Sequence, residues 1–344
     1  MKSALITGIT GQDGAYLASY LLDNNYLVYG AYRRASSINF WRLNELGITN
    51  HDKLKLIDID LIDFSSIVRL IDSIKPDEIY NLAAQSFVHL SFDQPITTAE
   101  ITAKGPLNIL EAIRLVNKKI KFYQASSSEM FGLVQETPQN EKTKFYPRSP
   151  YGVSKLFAHW MCINYRESYD MHACNGILFN HESPLRGKEF VTRKITNNVA
   201  KIKLGLIDSF DIGNMDALRD WGFAKDYVVG MHKILNHDIP DDFVLATGST
   251  YSVKDFLLNT FDIAGIKVIF EGSGLNQVIK NKDSNKTLVK INPAFYRPSE
   301  VDLLIGDYSK AKKDLDWQPN TSFKELCEIM YKADLDKVKN NFEF

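Results

Sequence analysis

The opening stretch MKSALITGITGQDG constrains this chain more than any other. Residues 3–7 form a short apolar run with a β-branched centre. Gly8, Gly11 and Gly14 follow at three-residue spacing, and residues 15–22 then read as an amphipathic helix with Leu17, Leu21 and Leu22 on one side. Strand, glycine turn and helix in that order open a dinucleotide-binding unit. Gly8 permits the tight turn, Gly11 lets the backbone approach a pyrophosphate, and Gly14 lets the helix pack closely on the strand. The start of the helix offers free N–H groups and a positive dipole end to that anion. Three spaced glycines also occur in ordinary turns; their place between a strand and a helix favours the dinucleotide.

A second strand over 27–32 ends where a carboxylate would accept hydrogen bonds from an adenosine ribose and select NAD. Arg33 and Arg34 stand there instead, followed by Ala35, Ser36 and Ser37. Guanidinium forks and hydroxyls suit a 2′-phosphate, so the expected cofactor is NADP; the alternative is a solvated basic loop. A third strand over 53–59 is closed by Asp60 and Leu61, an acceptor for the adenine amine and an apolar contact for its ring. A helix over 64–74 leads to a fourth strand over 78–83, which runs into Ala84, Gln85 and Ser86. Small residues there allow close approach to the middle of the cofactor. A long helix over 97–116 and a fifth strand over 121–125 continue the alternation. Such strict alternation predicts an α/β fold, a Rossmann-type doubly wound parallel sheet. We expect residues 1–182, with segments returning from the C-terminal half, to form the NADP-binding domain. Residues 183–344 would form mainly a smaller, interleaved α/β domain for substrate.

Ser126, Ser127, Ser128 and Glu129 follow the fifth strand directly. Serine runs often cap helices or turns, yet at the carboxyl end of a parallel strand they face the ligand crevice. After a proline-rich loop come Tyr151 and Lys155, four residues apart at the start of a helix reaching about residue 169. They share one helix face. An ammonium near a phenol favours the phenolate and lowers its pKa, giving a proton acceptor for an alcohol.

Composition excludes several other classes. With 344 residues, 44% hydrophobic and 24% charged, the chain can bury a large core. A net charge of −1 gives no electrostatic case for nucleic acid or an anionic membrane. No apolar run is long enough to span a bilayer. Cys162, Cys174 and Cys327 lack metal-ligand spacing, as do the seven histidines. We therefore expect no metal and reduced, buried thiols in a cytoplasmic protein.

The glycines, serines and Tyr–Lys pair together resemble the extended short-chain dehydrogenase/reductases. Their G-x-x-G-x-x-G matches Gly8, Gly11 and Gly14, and their Ser/Thr–Tyr–Lys set matches Ser127, Tyr151 and Lys155. The blocks GITGQDG, NLAAQSFV, FYQASSSEMFG, FYPRSPYGVSK, NYRESY, GILFNHESP, FVTRKI, RDWGFAKDYV and FYRPSEVD narrow the resemblance to the GDP-mannose 4,6-dehydratase family. The resemblance implies catalytic roles for Ser127, Glu129, Tyr151 and Lys155. It also implies cofactor contacts from Thr10, Gln12, Asp13, Leu82, Ala83, Ala84, Gln85, Ser86, Tyr151, Lys155, His181 and Arg186, beside those read above. It implies substrate contacts from Ser86, Asn180, Lys194, Arg219, Arg297 and Glu300; Glu300 would meet either guanine or ribose. Ser127 stands where many members have Thr, and Thr97 and Leu185 stand where some have Tyr and Arg. Arg186 and Arg193 also read as solvated charges.

The implied chemistry is an internal redox dehydration. Tyr151, with Lys155 and Ser127, takes the proton of the sugar's 4-hydroxyl while hydride leaves carbon 4. The resulting ketone acidifies the hydrogen on carbon 5, and Glu129 serves as base there and as acid for the departing 6-hydroxyl; the alternative for Glu129 is a helix cap. Hydride returns to carbon 6. A GDP-D-glycero-D-manno-heptose dehydratase would use the same atoms. Glu129 beside Ser127 argues against an NDP-sugar epimerase or reductase, and the intact Ser127, Tyr151 and Lys155 against a regulator without catalysis. The resemblance further implies a homodimer or homotetramer through helices 97–116 and 151–169, with the 33–37 loop reaching a neighbouring cofactor. Residues 272–285 are expected to be a mobile loop, and 334–344 a charged helix end or frayed terminus.

Overall fold

The computed structural model describes residues 1–37, 39–296, 301 and 303–341. Its centre is a parallel sheet of β1 (Ser3–Thr7), β2 (Leu27–Tyr32), β3 (Leu54–Asp58), β4 (Glu78–Asn81), β5 (Lys121–Ser127), β6 (Ala173–Leu178) and β7 (Asp242–Leu245). In space they run β7-β6-β5-β4-β1-β2-β3. The order reverses between β1 and β4, which opens a crevice at their carboxyl ends. Every residue of β4 and β6 is buried, as befits parallel strands covered on both faces. Helices α1 (Gln12–Asp23) and α6 (Ala224–Leu235) pack on one face through Leu17, Leu21, Tyr227 and Met231. On the other lie α2 (Phe64–Ile74), α3 (Gly105–Val116) and α4 (Pro150–Tyr169), through Ile67, Ile113 and Cys162. Asp63 caps α2, its carboxylate accepting from the N–H of Ser65 and Ser66.

The long helix expected over 97–116 is interrupted. A helical turn at Pro95–Ala99 widens into a π turn at Glu100–Lys104 before α3 resumes. Pro106 has no N–H to donate and its ring crowds the preceding turn, which a wider turn relieves. The same local turn aims Thr98 and Thr102 inward, where their hydroxyls accept from the Gln85 side chain and backbone N–H.

A second core lies beside the sheet, formed by α5 (Val191–Lys203), α7 (Val253–Ile263) and α8 (Phe323–Lys339) around Trp221, Phe256 and Met330. Its own sheet joins Val268–Glu271, Val278–Asn281 and Thr287–Ile291 antiparallel, with Phe210–Ile212 parallel to the last. The segment expected as a mobile loop is therefore largely a hairpin. Val278 and Ile279 pair with Glu271 and Phe270, and buried Ile279 anchors the hairpin in the second core. Two apolar residues set among polar ones left too weak a period to read.

Of the two readings of the segment from residue 334, a charged helix end and a frayed terminus, the described residues up to Lys339 follow the first, as the end of α8. Asp334 is wholly buried because it receives the Nε of Arg193 at 2.7 Å and the hydroxyl of Thr196 at 2.6 Å. Arg193 is thus a buried ion-pair partner, in place of the solvated charge considered from sequence. Lys337, also buried, donates to the Pro184 carbonyl and pairs with Glu45, both at 3.1 Å. All three cysteines are free and buried. Among the described residues no helix is long and apolar enough to cross a membrane.

Candidate active site

β5 runs two residues further than expected, so Ser126 and Ser127 end the strand. Ser128–Met130 then turn sharply, with the Ser127 hydroxyl accepting the Glu129 N–H at 3.2 Å. Ser149 caps α4 by accepting the Gly152 N–H at 3.0 Å, and Pro150 supplies the first helical residue. These two signals set the helix start, and thereby the phase that turns Tyr151 and Lys155 towards β5. Lys155 donates from Nζ to the Ala125 carbonyl at 2.7 Å. Tyr151 shares a hydrogen bond with the Ser127 side chain. Ser127, Glu129, Tyr151 and Lys155 are all buried, and the structure brings them together at one strand end.

The electrostatics differ from the expectation in one respect. Burial pushes the Tyr151 phenol up to about 12, and the Ser127 hydrogen bond offsets this only in part. Burial also pulls Lys155 down to about 8, with the Asp13 charge opposing. Lys155 Nζ lies 5.7 Å from the centre of the Tyr151 ring and is engaged by a carbonyl, so it does not outweigh desolvation.

The glycine turn has the shape a dinucleotide needs. Gly8 has φ +73°, and a Cβ there would sit 2.9 Å from the Ala83 N and Cα. A Cβ on Gly14 would press on the Gly8 carbonyl. α1 starts after Gly11 with no side chain capping it, leaving its first N–H groups for an anion. Gly8 and Ile9 both donate to the Ala31 carbonyl, at 3.0 and 3.2 Å, which holds the turn against β2. Past β2, Arg33, Arg34, Ser36 and Ser37 are exposed, and neither arginine has an ion pair among the described residues. Asp60 is exposed and accepts the Ile62 N–H at 3.0 Å. Leu61 lies buried against Gly105 and so serves the core beneath α3. Leu82, Ala83 and Ala84 are half-buried beside the turn, and Ser86 is exposed beyond them.

Gln12 and Asp13 tie the turn to the segment after β6. Gln12 donates to the His181 carbonyl at 3.1 Å and accepts from Ser183 at 2.6 Å. His181 places Nδ1 2.7 Å from the Phe179 carbonyl and Nε2 2.8 Å from Asp13. Both neighbours only accept, so the ring carries both protons. Burial lowers its pKa, but the Asp13 charge and hydrogen bond prevail and raise it. Asp13 is held below the usual carboxylate range, its burial outweighed by His181. The ring nitrogens of His181 are thereby spent inside the protein, and the ring stacks on Tyr227 with centroids 4.6 Å apart. Sequence reasoning missed Arg42, which donates to the Leu185 carbonyl at 2.6 Å and to the Thr10 carbonyl at 2.9 Å. No local motif marks such a bridge.

Beside this crevice a cleft of about 720 Å³ is lined by Asn180, Glu182, Arg186, Lys194 and Arg219, among others. Ser127, Glu129, Tyr151 and Lys155 lie outside its lining. Arg186 pairs with Glu182 at 3.2 Å and stacks 3.6 Å from the Phe190 ring centre. Lys194 places Nζ 3.5 Å from the centre of Phe295, and burial lowers its pKa. Arg219 is held in a two-residue strand against Tyr251–Ser252. Next to it, buried Asp220 accepts the backbone N–H of Thr247, Gly248 and Gly306, fixing that wall. Arg297 and Glu300 lie outside the described residues. Among the described residues no group of three or more His, Cys, Asp or Glu is placed to hold a metal.

The family profile described as GDP-mannose 4,6 dehydratase matches residues 5–330. The chain belongs to the GDP-mannose 4,6-dehydratase family. It is 49% identical to a protein of that name from Yersinia enterocolitica, over 99% of this chain and 96% of the relative. It is 49% identical to the one from Homo sapiens, over 98% and 92%. Among solved structures it resembles RMD from Pseudomonas aeruginosa complexed with NADPH, at TM-score 0.75 and 21% identity, covering 98% of this chain and 100% of that one. It also resembles the dTDP-glucose 4,6-dehydratase from Bacillus anthracis in complex with NAD, at TM-score 0.81 and 17% identity, covering 99% and 98%. At those identities the two structures speak for the fold of the family.

Proposed function

We propose that this chain dehydrates GDP-mannose to GDP-4-keto-6-deoxy-mannose, with NADP held over the glycine turn. One observation carries the reading: buried Glu129 stands two residues from Ser127 at the end of β5, beside Tyr151 and Lys155. A plain dehydrogenase needs the last three; a dehydratase needs a further proton-transfer group at that place. The names of relatives about half identical favour mannose over manno-heptose as the sugar.

The turn around Gly8 and Gly14 would hold the pyrophosphate, and Arg33, Arg34 and Ser36 the 2′-phosphate. When bound, NADP supplies hydride acceptance and return. Ser127 orients the sugar's 4-hydroxyl towards Tyr151, which takes its proton. A phenol at about 12 keeps its proton at neutral pH, so Tyr151 must first give that proton up to solvent before it can accept the sugar's, a loss that the positive charge of Lys155 favours. Glu129 removes the proton from carbon 5 and delivers one to the departing 6-hydroxyl. Positioned groups of this kind each contribute about 10²–10⁴-fold. Arg186 and Arg219 offer cations to the diphosphate.

A homo-oligomer joined through α4 also fits. Val153, Phe157 and Trp160 are exposed at helical spacing along it, with Ile96 and Leu115 exposed on the preceding helical segments. Three buried, unpaired thiols suit a reducing compartment such as the cytoplasm. The test supplies NADP and GDP-mannose deuterated at carbon 4, with GDP-manno-heptose in parallel. We expect a 4-keto-6-deoxy product carrying the deuterium on carbon 6. No conversion of GDP-mannose overturns the reading, and faster conversion of the heptose moves it to that sugar.

A further inference from the structure

One helix face bordering the cleft carries a polar pattern that the reaction does not use. Lys194, Asn197, Asn198 and Lys201 recur at helical spacing along α5, and all four line the cleft. Asn198 is engaged, donating to the Lys194 carbonyl at 2.8 Å. Asn197 is not. Its side chain is 5% exposed, and its amide has no hydrogen-bond partner among the described residues. The amide is not among the wholly buried polar groups that lack a partner, so it keeps contact with the cleft and is open to a ligand there.

We propose that Asn197 is a specificity-determining residue that reads the base of the nucleotide-sugar; this rests on the GDP-sugar reading above. The sugar end of the cleft is fixed by Asn180 and Glu182, which adjoin the catalytic strand end. Arg186 and Arg219 provide cations for the diphosphate. The second turn of α5 remains for the base, in the cleft that Phe295 and Gly213 also line. Guanine presents the O6 acceptor beside the N1–H donor. Lys194 can only donate, which suits O6 and opposes the 6-amino group of adenine. With Lys194 on O6, the Asn197 Oδ1 takes N1–H; adenine offers a lone pair there, which the amide can meet only by turning its Nδ2–H2 to the base, with the Lys194 ammonium still facing the 6-amino group. The amide and the cation thus check neighbouring positions of the base together.

The test compares GDP-mannose with ADP-mannose in the NADP-loaded enzyme, using wild type, N197A and N197D. N197A should raise KM for GDP-mannose about tenfold to a hundredfold with kcat little changed. Its preference for guanine over adenine should fall by the same factor. N197D keeps an acceptor for N1–H and should retain the preference. A packing role alone would lower thermal stability without moving the guanine-to-adenine ratio. If N197A does not fold, direct binding of GDP against ADP to N197D decides, and a lost preference overturns the assignment. Folded N197A with unchanged KM and ratio also overturns it. Wild type without turnover of GDP-mannose would instead overturn the functional reading itself.

Discussion

The crevice at the end of β1 and the cleft beside α5 solve two binding problems in opposite ways. The crevice is made of backbone: a left-handed Gly8, an uncapped helix start and small residues that leave room. The cleft is made of long side chains drawn from distant parts of the chain, such as Asn180, Lys194, Arg219 and Phe295. A backbone cradle recognises the invariant part of a dinucleotide, whereas side chains can be changed one at a time to alter a sugar or a base. The proposed catalytic set, Ser127, Glu129, Tyr151 and Lys155, stands at the end of β5 and the start of α4.

The division can be broken most directly at Tyr151. Tyr151→Phe should lower turnover by about 10²–10⁴-fold while NADP affinity, read by fluorescence, stays unchanged. Undiminished turnover would remove the phenol from the proton path. The cleft side is tested at Asp334. Asp334→Ala leaves Arg193 buried with an unpaired charge, and should cost about 3–5 kcal/mol in denaturant unfolding. Because α5 lines the cleft proposed for substrate, KM for the nucleotide-sugar should rise more than the Kd for NADP; equal changes would mean the two sites share one support.

Smaller effects sharpen the crevice. Replacing Arg33 and Arg34 with Ser should remove two charge-assisted contacts and cut the preference for NADP over NAD about a hundredfold, leaving NAD affinity unchanged. A preference that survives would assign the arginines to solvent. The smallest effect concerns pH. His181 has a raised pKa, so its bond to Asp13 is complete below the ordinary value of 6.5 and is lost as pH rises through the folded value. Asp13 has a lowered pKa, so its share is present above 3.8 and lost only as pH falls through the folded value. NADP affinity should therefore weaken by about tenfold on the alkaline side. His181→Asn should bind more weakly and lack that limb, and a titration identical to wild type would release His181 from the role.

The crevice was legible because its determinants are local. Three glycines between a strand and a helix, and a Tyr and Lys one turn apart, state their geometry within a few residues. The cleft was less so, since Arg193 meets Asp334 across 141 positions and no pattern near either residue announces the other. The same holds for Asp13 and His181, separated by 168 positions. Asn197 carried one signal, the helical recurrence of polar residues from Lys194 to Lys201. The break before α3 follows from Pro106, which was visible, while the compensating π turn was not. The depressed Tyr151 pKa failed because it weighed a charge against no burial, and burial is a property of the folded chain.

The path of the chain between the two cores has a mechanical consequence. After β6 it enters the second core with α5, returns for α6 and β7, leaves for α7, returns at Ser309–Leu315 and leaves again with α8. Several strands of backbone therefore cross side by side. Any opening of the cleft must bend all of them together, which confines the motion to one shallow axis and forbids free rotation. The same crossings mean that neither core can be completed before distant segments meet, so the halves should melt in a single transition and fold slowly for their size.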